Sequence, residues 1–152
     1  MKGWFRLADI VSPEVRSRMM SGIKSKNTKP EMVVRSALHR RGFRFRLHDK
    51  KLPGSPDLVF PKFHAALFVN GCFWHGHDCH LFRLPKTRTD FWHSKIMQNR
   101  ARDEKVRQQL SDIGFRHQTV WECELKNKPD FAISKVLDGI EKWLTLVEGA
   151  DT

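Results

Sequence analysis

Nine consecutive residues, Cys72-Phe73-Trp74-His75-Gly76-His77-Asp78-Cys79-His80, carry two thiols and three imidazoles. A third cysteine, Cys123, lies far downstream. Three cysteines are an odd count, which argues against a disulfide framework and for a reducing compartment. Cys72, Cys79, Cys123 and one histidine would complete a tetrahedral Cys₃His zinc site, closed and therefore structural. His77 is the preferred imidazole because it lies between the thiols, and His75 and His80 compete with it. The alternative is three buried, unligated cysteines beside a polar histidine loop, but so irregular a loop needs some staple. Cys123 lies just past a strand expected to neighbour the one that feeds the loop, so sheet topology can bring it back although it is far away in sequence.

The rest of the chain supplies such strands. Ser12-Pro13-Glu14 has the order of an N-cap, a first-turn proline and a first-turn acid, and Val15, Met19, Met20 and Ile23 follow at helical spacing. A second helix starts at Thr28-Lys29-Pro30-Glu31, with capping-box spacing of Thr and Glu, and stops at Gly42. Phe43-Arg44-Phe45-Arg46-Leu47 alternates with period two, as a half-exposed strand does. After the turn Leu52-Pro53-Gly54-Ser55-Pro56, Asp57–Phe60 and Ala65–Val69 read as the two strands of a hairpin. Thr89 or Asp90 opens a long helix to Ile113, stopped by Gly114, and Phe115–Trp121 reads as a further strand. The intervening helix makes that strand a parallel neighbour of 65–69. Asp130 is expected to cap a last helix with the apolar stripe Ile133, Val136, Leu137, Ile140, Trp143, Leu144 and Val147. The order α-α-β-β-β-loop-α-β-α predicts an α/β fold, a mixed central sheet flanked by helices in one domain over 1–152.

Charge points to a polyanion. The net charge is +11, and residues 1–56 hold 14 Lys and Arg against 4 Asp and Glu, while residues 57–152 hold 14 against 13. The excess therefore sits on one face or arm, and residues 12–42 are read as a basic helical segment contacting nucleic acid. Residues 1–11 are expected to be a flexible lead. No apolar run has the length of a membrane span, and no secretory leader is recognisable, so an intracellular protein is expected. The absence of Tyr excludes strand cleavage through a tyrosine nucleophile.

Carboxylates carry the second chemical signal. Asp57 opens a buried strand, a position where an acid makes no packing sense, and metal-dependent phosphodiesterases place an acid there to hold Mg²⁺. A turn-capping role is the alternative. On the long helix, Trp92, Ile96, Asn99, Asp103, Val106, Leu110 and Ile113 share one face, so Asp103 is expected to point inward, toward an arginine or a site. Phe73 and Trp74 in the loop and Trp92 early in the helix could stack on bases or wedge between them.

Taken together, Leu52-Pro53-Gly54-Ser55-Pro56-Asp57, Val69-Asn70-Gly71-Cys72-Phe73-Trp74-His75-Gly76-His77, Cys79, Thr87-Arg88-Thr89-Asp90-Phe91-Trp92 and Val120-Trp121-Glu122-Cys123 resemble the very short patch repair (Vsr) DNA mismatch endonucleases of bacteria. The likeness runs from about Arg16 to Trp143. It implies a restriction-endonuclease-like core and Mg²⁺-dependent nicking beside the T of a T·G mismatch left by deamination of 5-methylcytosine. It implies Asp57 and Val69 as Mg²⁺ ligands and His75 as the base acting on water, with Glu31 and Asp103 lining the site; Asp103 is expected to orient His75. Cys72, His77, Cys79 and Cys123 match the structural Zn²⁺ ligands. Phe73, Trp74 and Trp92 match aromatics entering DNA from the major groove, and Met20 a residue approaching from the minor groove. Two positions depart from the family pattern. Val69 stands where Thr supplies a metal ligand, a role that its backbone carbonyl can fill, and Asn70 stands where His can occur, leaving an amide to reach a phosphate.

The expected partner is double-stranded DNA with a T·G mismatch, bound by a monomer in the bacterial cytoplasm at the nucleoid, with mismatch-repair accessory proteins as further partners. The alternatives are a zinc-stabilised DNA-binding protein without catalysis, or a restriction-type nuclease acting on another duplex.

Overall fold

The computed structural model describes residues 26–146. The expected helix over 12–23 with Met20, the leading residues 1–11 and Val147 lie outside the described residues.

Helix α1 (Lys29–Arg40) begins where the sequence places it. Thr28 is the N-cap and its hydroxyl accepts the Glu31 N–H at 3.4 Å. Gly42 follows the helix at φ +96, a left-handed conformation that glycine adopts without steric cost. Strand β1 is shorter than the alternation of 43–47 predicts, covering only Arg46–Leu47. It pairs antiparallel with β2 (Leu58–Phe60), Arg46 opposite Val59 and Leu47 opposite Leu58. Continuing that register would set Arg44 opposite Pro61, which has no N–H to donate, so the ladder cannot extend. Phe43 and Phe45 still turn inward and pack on the core, with Phe45 edge-on to Phe60 at 5.6 Å.

Strand β3 (Ala65–Asn70) forms the expected hairpin with β2, and the strand pair around the long helix is parallel as expected: β3 runs alongside β4 (Arg116–Trp121) from Ala65 opposite Arg116 to Asn70 opposite Trp121. The sheet order is β1-β2-β3-β4. On one face, Leu58, Phe60, Ala65, Leu67, Val69 and Val120 pack with Val34 and Leu38 of α1 and with Leu137, Ile140 and Leu144 of helix α3 (Asp130–Thr145). Arg41 ties the two helices together through Asp138 at 2.8 Å and Glu141 at 3.0 Å. Val59 and Ala66, one residue out of phase, are buried toward the other face.

Helix α2 (Thr89–Asp112) is the β3–β4 crossover, with Trp92, Ile96 and Leu110 buried. Ile113, expected on that stripe, is 54% exposed: the helix ends at Asp112, and Ile113 takes the capping conformation, off the buried face. For α3, Pro129 occupies the N-cap position instead of Asp130. Its extended backbone leads directly into the helix, and Asp130 becomes the first helical residue, placing its charge in the first turn. Among the described residues, no helix is long and apolar enough to cross a membrane.

Candidate active site and metal centre

The hairpin end, the start of α1 and the middle of the long helix α2 converge on a cleft of about 1230 Å³, lined among others by Asp57, Val69, Asn70, Phe73, Trp74, His75 and Asp103. Asp57 stands just before β2, and its Oδ2 accepts the Val69 N–H of β3 at 2.7 Å. That bond joins the start of one strand to the end of its neighbour. It also sets Val69 against the carboxylate, where an apolar side chain leaves only its carbonyl as a ligand. Burial pushes the Asp57 carboxyl up to about 6; the charge of nearby Glu31 adds to this, and the Val69 N–H opposes it.

Glu31 is 1% exposed, which its capping role alone does not require. Its carboxylate reaches back to the N–H of Asn27 at 3.1 Å, one residue beyond the Thr28 N–H used in a regular capping box. The same carboxylate accepts from Arg35 Nη1 at 3.0 Å and lies 3.0 Å, through each oxygen, from His48 Nε2. Burial alone would raise Glu31, yet the hydrogen bonds from His48, Asn27 and Arg35 hold it below the ordinary carboxylate value. His48 also stands 4.0 Å from Asp57 Oδ1, so Glu31, His48 and Asp57 form one cluster able to hold a cation.

Across the cleft, His75 Nδ1 donates to Asp103 Oδ2 at 2.6 Å. Asp103 does point inward from α2, and its partner is an imidazole, not an arginine. Asn99, one turn earlier on α2, donates to the Trp74 carbonyl at 2.9 Å and holds the loop beside His75. The helix thus grips the loop at two successive turns. Gly76, at φ +61, lies so close to α2 that a β-carbon there would sit 2.7 Å from Ile96 Cγ2 and 2.9 Å from Arg100 Cδ.

The metal cluster closes as the sheet topology allows. Ligand atoms of Cys72, His77, Cys79 and Cys123 all lie within 4.8 Å of one another. Cys123 follows β4 directly, and its N–H points to Cys72 Sγ at 3.4 Å. Its sulfur lies 3.6 Å from His77 Nδ1, and the edge between a sulfur and a nitrogen ligand of tetrahedral zinc is also about 3.6 Å. The donor set and spacing fit, and the cluster could hold a zinc. Trp121 selects the imidazole by stacking on His77 at 4.1 Å and 7°, while His75 is drawn away to Asp103 and His80 stands outside the cluster. Burial pushes the Cys72 thiol far up; for Cys79, backbone N–H groups of Leu81 and Phe82 and the neighbouring thiols outweigh burial and hold it low.

The aromatics form one cluster of edge-on and tilted rings. Phe73 packs on Trp74 at 5.1 Å, on Trp92 at 5.6 Å and on Phe82 at 6.1 Å, and Trp74 meets Trp92 at 5.9 Å. Trp92 is 7% exposed and forms the buried base of the cluster, whereas Phe73 and Trp74 are half-buried and line the cleft. Asn70 ends β3 at the cleft wall. Lys26, Lys29, Lys50, Arg102 and Lys126 line the same cleft.

Sequence reading missed His48, Asn99's hold on the loop and Phe82. His48 carried no local signal, because what makes it part of the site is the antiparallel register that sets the end of β1 beside Asp57.

The DNA mismatch endonuclease Vsr family model matches residues 8–81. The type II nicking enzyme V.XorIIP of Xanthomonas oryzae pv. oryzae is 53% identical over 121 residues, 80% of this chain and 89% of that protein. The type II nicking enzyme V.NmeAIP of Neisseria meningitidis is 48% identical over 122 residues, covering 80% and 87% of the two chains. DNA mismatch endonuclease Vsr of Escherichia coli K12 is 37% identical over 138 residues, covering 91% and 88%. The chain belongs to the DNA mismatch endonuclease Vsr family.

Proposed function

We propose that this endonuclease nicks double-stranded DNA beside the T of a T·G mismatch in a Mg²⁺-dependent reaction, the first step of very short patch repair. The observation that carries the reading is one cleft lined by Asp57 and His48 of the acidic cluster, the His75–Asp103 pair and the half-buried edge of the aromatic cluster. Its relative in Escherichia coli is named a mismatch endonuclease, and its relatives in Xanthomonas and Neisseria are named nicking enzymes.

Each group has a distinct task in this reading. Asp57 and the Val69 carbonyl would hold a divalent cation, and the chemistry it would supply there is charge neutralisation at the phosphate and acidification of a bound water. His75 takes the proton from the attacking water at Nε2, because Nδ1 is committed to Asp103. Asp103 keeps the imidazole in that tautomer and stabilises the imidazolium that forms. Glu31 lines the site behind Asp57, and Asn70 reaches the phosphate as a donor. The five cations along the cleft bind the DNA backbone without regard to sequence. Phe73 and Trp74, backed by Trp92, wedge into the duplex, and unstacking costs least at a mispaired step. Met20 is assigned to the minor-groove side, Zn²⁺ to the Cys72–His77–Cys79–Cys123 cluster as a structural ion, and the chain acts as a monomer at the nucleoid with repair accessory proteins.

Membership in an endonuclease family sets aside the non-catalytic alternative, and a different duplex substrate is the competing reading. Strand-labelled duplexes carrying T·G in a range of flanking sequences, with matched controls, are incubated with Mg²⁺ and wild type or Asp57→Asn. Nicking of the T strand by wild type alone is expected. Equal cleavage of matched duplexes would replace the mismatch reading with the restriction-type one.

A further inference from the structure

The cation-binding end of the cleft contains an imidazole beside the two acids, and its chemistry differs from that of an all-oxygen Mg²⁺ site. We propose that Glu31, His48 and Asp57 together form a mixed nitrogen–oxygen cation site that takes Mn²⁺ in preference to Mg²⁺. The inference rests on the proposed role of Asp57 as a cation ligand and adds two side-chain ligands and an ion preference to it.

Spacing carries the argument. In an octahedral ion with bonds of about 2.1 Å, ligands at right angles stand about 3.0 Å apart and opposite ligands about 4.2 Å. His48 Nε2 stands 3.0 Å from each Glu31 oxygen and 4.0 Å from Asp57 Oδ1, and one donor atom from each residue lies within 4.8 Å of the others. These donors are now linked through the Nε2 proton, and a divalent ion seated beside them would replace that proton as their common partner. A divalent ion displaces that proton, Nε2 becomes the ligand, and the proton moves to Nδ1 as a bound imidazole requires.

The surroundings hold the donors in place. The Asn27 N–H bonds one Glu31 oxygen and Arg35 the other, one donor each, which leaves each oxygen a lone pair for a further partner. The His48 N–H donates to the Asp57 carbonyl at 3.1 Å, so the backbone itself ties the two ligands together. His48 reaches this position at φ +48, an uncommon conformation for a side chain of its size. His48 and Asp57 both line the cleft, which leaves the remaining coordination positions to water and phosphate. Imidazole nitrogen suits first-row transition ions, whereas Mg²⁺ strongly favours oxygen, so His48 shifts the preference toward Mn²⁺.

The test uses the full-length, zinc-loaded protein without DNA, so that the sulfur cluster is filled. Mn²⁺ is titrated while the spin resonance signal of the free ion is followed, and Mg²⁺ is then added in competition. Wild type is expected to bind one Mn²⁺ about tenfold or more tightly than Mg²⁺, and His48→Gln to lose most of that margin through weaker Mn²⁺ binding. An unchanged Mn²⁺-to-Mg²⁺ ratio in His48→Gln, or unchanged Mn²⁺ binding in Asp57→Asn, would overturn the proposal. Spin-echo modulation from a directly bound imidazole nitrogen is also expected in Mn²⁺-loaded wild type. Its absence refutes the site even if the variant fails to fold. Mn²⁺ bound through nitrogen with no nicking of a T·G duplex would sink the functional reading alone; Mg²⁺-dependent nicking without an Mn²⁺ preference would sink only this one.

Discussion

If His75 is the base, as proposed, replacing Asp103 by Asn separates the orientation of its ring from the proton transfer. The amide oxygen still accepts a hydrogen bond from Nδ1, so the ring keeps its position, but the charge facing the imidazolium is lost. The present contact, 2.6 Å from Nδ1 to Oδ2, is short enough to be a charge-assisted bond. Such a bond contributes about 1.5–3 kcal/mol, against about 1 kcal/mol for a neutral one. Both side chains are about a quarter exposed, and water screens part of that difference. A loss of about 1 kcal/mol in the transition state remains, a fall of about fivefold to tenfold in the nicking rate. It should appear in single-turnover rates at saturating enzyme and leave duplex binding unchanged, because the imidazolium forms only as the proton leaves water. The decisive comparison is a double-mutant cycle with His75→Ala. If Asp103 acts through His75, Asp103→Asn costs nothing further once the imidazole is gone. An equal cost in both backgrounds would refute the positioning role.

Three further predictions follow from the surroundings of the site. Cys123→Ser should release most of the bound zinc, measured by metal analysis, and lower Tm by about 10 °C, because ligand binding energy at such a site is folding energy. Gly76→Ala should destabilise the protein by about 2–4 kcal/mol in urea unfolding, since its β-carbon both meets Ile96 and Arg100 and must hold φ +61. Asp57, raised to about 6 when folded against about 3.9 unfolded, binds more protons in the folded state across that window. In zinc-loaded, Mg²⁺-free protein the Asp57 contribution, up to about 3 kcal/mol, should therefore be lost as pH rises from about 4 to 6; Glu31, held low, works in the opposite direction, and comparing Asp57→Asn with wild type in pH-dependent melts isolates the Asp57 part. The same protonation competes with the cation, so metal affinity should rise from pH 5 to 7.

Local signals were read best where one residue type does one job. Thr28 and Pro30 start α1, the apolar stripe of 133–144 covers the sheet, and the helix between β3 and β4 makes them parallel. The β1 ladder was overestimated because alternation reports which face a side chain takes, while pairing depends on a partner strand, and Pro61 ends that partner. Glu31 shows the reverse case. Its capping spacing was visible and the cap exists, but the same carboxylate is also buried against Arg35 and His48, contacts that spacing does not report.

The nine-residue Cys/His segment marked a metal cluster by itself, and the long helix between β3 and β4 made those strands parallel neighbours, an arrangement that allows Cys123 to return to the segment. The observed strand order has that arrangement. Which of three imidazoles joins the sulfurs was a tertiary decision: Trp121 stacks on His77, and Asp103, carried in on α2, takes His75. The recruitment of His48 to Glu31 and Asp57 was likewise settled by strand register. Composition and periodicity act within a few residues, and a site assembled from a hairpin end, a helix cap and a crossover helix is specified only when those elements pack.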